Sequence, residues 1–253
     1  MIGIVDSGLG GLAVAREVRR LLPDADLVYV ADQANAPYGD RAPSEVAALT
    51  HGLVDRLVSS GATTIVLASN TISAAALHRL RDARPEIAFV GMEPAVKPAV
   101  AGSATGVVAV LGTTATIEGP LLADMVDRFA GSARIVPIPL PGLVDLVEAG
   151  RGDSDETDVF LEPRLEPGRS AGADTWVLAC THYTFARRAI ERVVGSHATI
   201  VDPAEAVAQQ AARVASGHGE GGTVALTTGS AESFAARVAE LGVMAFDRIE
   251  GAD

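Results

Sequence analysis

Short apolar runs alternate with amphipathic stretches along the whole chain, and glycine or proline separates many of them. The apolar runs have the composition of buried strands and occupy residues 2–5, 27–31, 63–68, 89–92, 107–111, 135–140, 176–179, 199–201, 223–227 and 244–246. Helical spacing of apolar residues lies between them, for example at residues 43–60, 73–83 and 185–194. This alternation predicts an α/β protein built from doubly wound parallel sheets.

Two pairs of apolar runs repeat each other's sequence together with the residues that follow them. Residues 65–71 match residues 176–182, so that Ser69 falls opposite Cys180. A weaker match relates residues 2–7 to residues 108–113. Matches at similar offsets predict two related α/β halves, although short apolar matches also arise by chance.

A segment rich in proline, glycine and alanine at residues 94–106 is a candidate crossing between two domains. We predict two pseudo-symmetric domains, the first at residues 1–95 with 206–253 and the second at residues 96–205. Their strand ends would line a shared cleft, which is a common position for a small-ligand site and is where we expect the active site.

Composition and charge exclude several classes of protein. The net charge of −12 disfavours nucleic acid and anionic membranes as partners, because both are bound by basic patches. No apolar run is long enough to span a membrane, and the chain opens on a strand with no basic leader, so we predict a cytoplasmic protein. A single cysteine excludes an internal disulfide and fits a reducing compartment.

The candidate chemistry centres on Cys180, which follows the apolar run 176–179 and precedes Thr181 and His182. Ligands of open α/β sheets bind at the carboxyl ends of strands. A thiol beside an imidazole at such an end can ionise to a reactive thiolate, whereas the alternative is a buried cysteine that acts as a small hydrophobe. Asp6, at the end of the first apolar run, is a second candidate on position alone.

Cofactor and metal chemistry find little support in the sequence. The glycine-rich turn after Asp6 matches neither the dinucleotide fingerprint nor the P-loop, so it is either an anion-binding turn or an ordinary tight one. A pyridoxal phosphate enzyme would depend on Lys97, the sole lysine, and we expect no such cofactor. No metal site is predicted, because four of the histidines show no ligand spacing: His51, His78, His197 and His218.

Several motifs together resemble the cofactor-independent aspartate/glutamate racemase superfamily, and within it the glutamate racemases. The resemblance covers nearly the whole chain. It is carried by Asp6-Ser7-Gly8, Pro37-Tyr38-Gly39, Ser69-Asn70-Thr71, Glu93-Pro94, Gly112-Thr113 with Thr116, Glu148-Ala149-Gly150 and Cys180-Thr181-His182-Tyr183.

The resemblance implies an enzyme that interconverts L- and D-glutamate for peptidoglycan without a cofactor. In this family two thiols act on opposite faces of the α-carbon, one removing the α-proton and the other delivering a proton. The resemblance implies that Cys180 is the second thiol, that His182 tunes it and that Glu148 supports it. Asp6 would tune the first thiol, at the position that Ser69 occupies here.

The resemblance also implies a set of substrate contacts. The partner is expected to be a small acidic amino acid or a related dicarboxylate, and a homodimer is expected because the superfamily is often dimeric. Ser7, Asn70, Thr71 and Thr181 would hold the α-amino and α-carboxylate groups, and Pro37, Tyr38, Gly39, Thr113 and Thr116 would line the side-chain carboxylate end.

The central departure from the family pattern is Ser69, which stands where the family has its first catalytic cysteine. An alcohol is far less acidic than a thiol, so this change keeps the shape but removes the base. Three explanations remain open: a glutamate racemase impaired in racemisation, a one-cysteine decarboxylase, isomerase or lyase acting on a small acidic substrate, and a non-catalytic binder of an acidic amino acid. A smaller departure is Thr184, where the family usually has proline.

Overall fold

The chain folds into two compact units. A computed structural model of the protein describes residues 1–39, 41–215 and 219–252. The first unit comprises Met1–Met92 and Ala204–Asp253, and the second comprises Glu93–Pro203. The predicted domains, residues 1–95 with 206–253 and residues 96–205, divide the chain at nearby positions.

The first unit is built on a six-stranded sheet in the order β10-β9-β2-β1-β3-β4, in which all neighbouring strands are parallel. Its elements are β1 (Ile2–Asp6), α1 (Leu12–Leu21), β2 (Leu27–Ala31), a 3-10 turn (Gln33–Asn35), α2 (Pro43–Ser59), β3 (Thr64–Leu67), α3 (Asn70–Ala83) and β4 (Ala88–Val90). The returning chain adds α10 (Ala204–Val214), β9 (Thr223–Thr227), α11 (Ala231–Leu241) and β10 (Arg248–Gly251).

The second unit is built on a four-stranded parallel sheet in the order β6-β5-β7-β8. Its elements are α4 (Val96–Gly102), β5 (Val107–Gly112), α5 (Thr114–Ile117), α6 (Pro120–Phe129), β6 (Arg134–Pro139), α7 (Leu143–Glu148), α8 (Asp155–Ser170), β7 (Thr175–Leu178), a 3-10 turn (Thr181–Ala186), α9 (Arg187–Val194) and β8 (Thr199–Val201).

The two sheets share one strand order, which confirms the predicted fold class. In each unit the first strand lies between the second and the third, and the fourth lies beyond the third: β2-β1-β3-β4 corresponds to β6-β5-β7-β8. The sequence matches fall on equivalent strands, since residues 65–71 and 176–182 begin on β3 and β7. Ser69 and Cys180 therefore follow equivalent strands of two related sheets.

Apolar side chains from the sheets and helices fix the strand ends in place. In the first unit Ile65 and Leu67 of β3 are buried with Leu57 of α2 and Ile72 of α3. Replacing a side chain of this kind by alanine costs about 2–5 kcal/mol. In the second unit Trp176 of β7 is fully buried in a core formed with α8 and α9.

Three predicted boundaries are corrected by the structure. The helix predicted at residues 73–83 begins at Asn70, because Ser69 caps it, and the helix predicted at residues 185–194 begins at Arg187 after the 3-10 turn. Residues 244–246 are not a strand. The Phe246 ring instead lies 6.0 Å from the Tyr29 ring, and the strand begins after residue 247.

None of the helices in the described part of the chain has the length and apolarity to cross a membrane.

Candidate active site

In the first unit, polar residues gather at the carboxyl ends of β1, β2 and β3. Asp6 is the last residue of β1, Asp32 directly follows β2, and Ser69 follows β3 by two residues. Because these strands are adjacent and parallel, their carboxyl ends lie at one edge of the sheet. That edge is where open α/β sheets bind ligands.

The glycine-rich turn folds over the carboxylate of Asp6. Asp6 is fully buried, and its Oδ2 accepts hydrogen bonds from the backbone N–H groups of Gly8 at 3.1 Å and Gly11 at 3.0 Å. Position 11 has no room for a side chain, since a Cβ there would lie 2.9 Å from the Cβ atoms of both Asp6 and Ala68. These two turn N–H groups therefore bind the protein's own carboxylate, which holds Asp6 beside the end of β3.

Ser69 is the N-cap residue of α3. Its Oγ accepts a hydrogen bond from the backbone N–H of Ile72 at 3.4 Å, and its backbone is extended, with φ −153° and ψ 135°. The side chain is half-buried, so its hydroxyl can reach a bound molecule. Serine favours this position because its oxygen satisfies an N–H group that the helix leaves unpaired.

The loop that carries Pro37, Tyr38 and Gly39 is attached to Asp32. Tyr38 is buried, and its hydroxyl donates a hydrogen bond to Asp32 Oδ2. Burial, together with this bond to a carboxylate, raises the pKa of Tyr38 well above its ordinary value, so the phenol keeps its proton. Pro37 is exposed and Gly39 is half-buried.

Asp32 is a candidate site residue that sequence reasoning missed. Besides Tyr38, it accepts hydrogen bonds from Asn35 Nδ2 at 3.0 and 3.1 Å and from Thr228 Oγ1 at 2.6 Å. Its position in the sequence could have indicated it. Asp32 directly follows a predicted strand, much as Asp6 lies at the end of one. Its contact with Thr228 carries no such signal, since the two residues are far apart in the chain.

In the second unit, Cys180 occupies the position that Ser69 occupies in the first. It follows β7 by two residues, starts a 3-10 turn and is extended, with φ −138° and ψ 131°. Its side chain is half-buried. The backbone before it is fixed to the neighbouring strand, since Ala179 N donates to Leu111 O at 2.7 Å. The two strand ends thus present an oxygen and a sulfur from the same backbone conformation.

His182 connects Cys180 to Glu148. The His182 side chain is buried, with Nε2 at 2.6 Å from Oε1 of Glu148, the last residue of α7. Burial alone would lower the pKa of His182, but hydrogen bonds to Cys180 and to Glu148 outweigh it and hold that pKa well above its ordinary value. A protonated imidazole in contact with sulfur stabilises a thiolate, which is the form that accepts a proton.

Three of the predicted threonines lie in or at the start of short helical turns of the same unit: Thr113, Thr116 and Thr181. Thr113 follows β5 and caps α5, accepting a hydrogen bond from Thr116 N at 3.2 Å, and its hydroxyl donates to Thr116 Oγ1 at 3.1 Å. Thr181 is buried in the turn after Cys180. Because β5 and β7 are adjacent and parallel, these residues share one sheet edge with Cys180.

The predicted site residues thus form two groups, one in each unit. The first unit brings together Asp6, Ser7, Pro37, Tyr38, Gly39, Ser69, Asn70 and Thr71, and the second brings together Thr113, Thr116, Glu148, Cys180, Thr181 and His182.

Four histidines were considered above as candidate metal ligands, and the structure describes three of them. His78 and His197 are exposed and His51 is half-buried, while His218 lies outside the described residues. Within residues 1–39, 41–215 and 219–252, no three His, Cys, Asp or Glu side chains are grouped so that they could hold a metal ion.

A comparison with protein families identifies the class of this chain. The sequence family described as Asp/Glu/Hydantoin racemase matches residues 11–211, which is most of the chain. The chain belongs to the Asp/Glu/hydantoin racemase family, and the resemblance stated from its motifs is confirmed.

Individual relatives narrow the likeness within that family. A glutamate racemase of Roseiflexus sp. (strain RS-1) is 44% identical over 99% of this chain and 95% of its own length. Among solved structures, Escherichia coli glutamate racemase in complex with L-glutamate and an activator has a TM-score of 0.89 and 26% identity, covering 99% of this chain and 97% of that one. Glutamate racemase from Thermus thermophilus has a TM-score of 0.81 and 32% identity, covering 98% and 96%.

Proposed function

We propose that this protein is a cofactor-independent racemase of the glutamate racemase type, in which Cys180 is the only sulfur base. The observation that carries the proposal is the contact of Cys180, at a strand end, with the buried His182, whose ring is paired with the half-buried Glu148. Relatives named glutamate racemase cover almost the whole chain and make glutamate the proposed substrate. In this role D-glutamate would serve peptidoglycan synthesis.

The proposed step is a proton transfer at the α-carbon. The Cys180 thiolate takes the α-proton, the electron pair of the broken C–H bond stays on the carbon, and the same thiol then returns a proton. An α-proton beside a carboxylate is very weakly acidic, so the developing negative charge needs dense stabilisation by preorganised donors. We assign this binding role to the substrate residues that the family resemblance implies: Ser7, Asn70, Thr71 and Thr181 at the α-substituents, and Pro37, Tyr38, Gly39, Thr113 and Thr116 at the side-chain carboxylate.

Ser69 takes the place of the family's first cysteine in this proposal. Its oxygen already accepts a hydrogen bond from Ile72 N, so its hydroxyl is suited to donate to substrate rather than to remove a proton. Asp6 is buried beneath the turn, where backbone N–H groups hold its carboxylate. One face of the α-carbon is therefore left without a sulfur base, and we propose that net inversion is slow.

The two alternatives differ in what the single thiol does. A one-cysteine decarboxylase, isomerase or lyase would use Cys180 on a related acid, and a binder would not use it chemically at all. The lone cysteine is the observation in favour of these alternatives. The sequence identity to glutamate racemases favours the racemase instead. A cytoplasmic location and a homodimer belong to the same proposal.

Deuterium exchange tests the assignment of Cys180. The family resemblance places the second thiol on the face that carries the proton of L-glutamate. In deuterium oxide we expect the α-proton signal of L-glutamate to disappear in the NMR spectrum, with little D-glutamate formed and with much slower exchange from D-glutamate. A lone thiol takes and returns the proton on one side, so exchange proceeds without inversion.

The matched control is Cys180→Ala, in which exchange should stop. Equal exchange from both enantiomers with full turnover would contradict the one-thiol assignment. Exchange that persists in Cys180→Ala would show that another group is the base.

A further inference from the structure

Three successive side chains after Cys180 attach its turn to three different elements. His182 is bonded to Glu148 at the end of α7, and Tyr183 OH donates to the carbonyl of Leu140, which follows β6, at 3.1 Å. The third attachment is Thr184, whose Oγ1 donates to Asp202 Oδ2 at 2.7 Å. Asp202 directly follows β8, the edge strand beside β7.

The local backbone makes these attachments important. Residues 181–186 form a 3-10 turn, and hydrogen bonds in 3-10 geometry are poorer than those of an α-helix. The residue that ends the turn adds one backbone bond, from Arg187 N to Thr184 O. Side-chain hydrogen bonds to the surrounding elements therefore largely determine where His182 lies relative to Cys180.

The Thr184–Asp202 bond lies where the motifs of this chain depart from the family pattern that they resemble. The family pattern has proline after the tyrosine, and proline restricts the backbone but has no hydroxyl to donate. Thr184 restricts the backbone less and adds a hydrogen bond to a carboxylate, which is stronger than a bond between neutral groups.

We propose that Thr184 is a positioning residue for the Cys180–His182 pair, acting through its hydrogen bond to Asp202. Its catalytic consequence rests on the function proposed above, whereas its effect on the thiol does not. Removing the hydroxyl releases one of the three attachments of the turn, so the imidazole no longer holds its place against the sulfur. The thiol then reacts more slowly, while substrate binding is changed much less.

The single cysteine allows a direct test, because alkylation by iodoacetamide then reports on Cys180 alone. In Thr184→Val we expect the alkylation rate and the rate of L-glutamate exchange at saturation to fall by about tenfold, since small misplacements of reacting groups have effects of this size or larger. The half-saturating L-glutamate concentration should change by less than about twofold. Thr184→Ser, which restores the hydroxyl, should return both rates to near the original values.

The matched control is Thr175→Val. Thr175 Oγ1 donates to Asp174 Oδ1 at 3.0 Å, a bond of the same kind at the opposite end of β7 from Cys180. This variant should lose stability in thermal unfolding yet keep the original alkylation rate. Thr184→Ala serves as the second variant if Thr184→Val does not fold.

Several outcomes would overturn the positioning role. They are an unchanged alkylation rate in folded Thr184→Val or Thr184→Ala, an equal loss in Thr175→Val, or a failure of Thr184→Ser to restore the rate. A protein without glutamate exchange whose alkylation rate still falls in Thr184→Val would sink the proposed function and support the positioning role.

Discussion

At the scale of single residues, two equivalent strand ends differ by one side-chain atom, the oxygen of Ser69 and the sulfur of Cys180. Ser69 and Cys180 follow equivalent strands with closely similar backbone angles, and both are half-buried. Their surroundings differ, because Cys180 contacts His182, which is paired with Glu148, whereas Ser69 caps a helix. The two strand ends therefore differ in the side-chain atom and its neighbours, since their backbone angles are closely similar.

Replacing Ser69 with cysteine tests this difference. Ser69→Cys puts a thiol at the end of β3, and under the proposed function it should raise the racemisation rate by orders of magnitude, because a thiol can ionise near neutral pH where an alcohol cannot. The measurement is the approach of L-glutamate to the racemic mixture, followed by optical rotation.

Ser69→Ala is the control, and it should leave racemisation low. No gain in Ser69→Cys, in a protein that still folds and binds glutamate, would favour the one-cysteine enzyme or the binder.

At the scale of elements, polar side chains at the ends of strands and helices connect parts of the chain that are distant in sequence. Asp174, which precedes β7, accepts hydrogen bonds from Ser103 Oγ at 2.6 Å and from the backbone N–H groups of Ala104 and Thr105 at 2.7 and 2.8 Å. These bonds attach the end of α4 and the approach to β5 to the start of β7. Although partial burial opposes ionisation, they lower the pKa of Asp174 to about 2.

This lowered pKa predicts how stability depends on pH. A carboxyl whose pKa is lower in the folded than in the unfolded state stabilises the fold above its unfolded pKa, about 3.9, and loses that contribution as the pH falls through about 2. We expect Asp174→Asn to unfold at lower urea concentration than the original protein at pH 7. The difference should shrink between about pH 4 and pH 2.

Urea unfolding followed by tryptophan fluorescence measures this, since Trp176, the sole tryptophan, lies in the strand that Asp174 precedes. A difference that stays constant from pH 7 to pH 2 would contradict the assigned role of the carboxylate.

At the scale of the whole molecule, glutamate binding can be measured apart from proton transfer, because binding changes the stability of the folded protein. A ligand that binds only the folded protein stabilises it by an amount set by its concentration and Kd, about 2.7 kcal/mol at 100 times Kd. We expect L-glutamate to raise the thermal midpoint of the original protein and of Cys180→Ala alike. Under the proposed function the thiol supplies proton transfer, whereas the other proposed residues supply the binding.

Differential scanning calorimetry with and without L-glutamate measures this shift, and D-lysine is a suitable control because its side chain carries the opposite charge. If L-glutamate shifts the midpoint of neither protein, the assigned substrate is wrong. If it shifts the original protein and not Cys180→Ala, the thiol is itself part of the binding site.

Much of this fold was predictable because its signals are local. Alternating apolar runs indicate parallel strands, and most predicted strands are present within a few residues of their expected bounds. The β10 prediction failed because the short run at residues 244–246 is apolar for another reason, the packing of Phe246 on Tyr29. The start of α3 was misplaced because Asn70 and Thr71 have low helix propensity, which the cap at Ser69 overcomes.

The sequence by itself determined the fold class, the repeated strand ends and the family, since each follows from residue type at short spacing. Only the tertiary structure revealed that Asp6 lies beneath its own turn, that Asp32 bonds Tyr38 and Thr228, and that Thr184 bonds Asp202. These hydrogen bonds join residues that are mostly separated in the sequence and that the order of the strands in the sheet brings together. A hydrogen bond depends on distances of a few tenths of an ångström, which no spacing along the chain specifies.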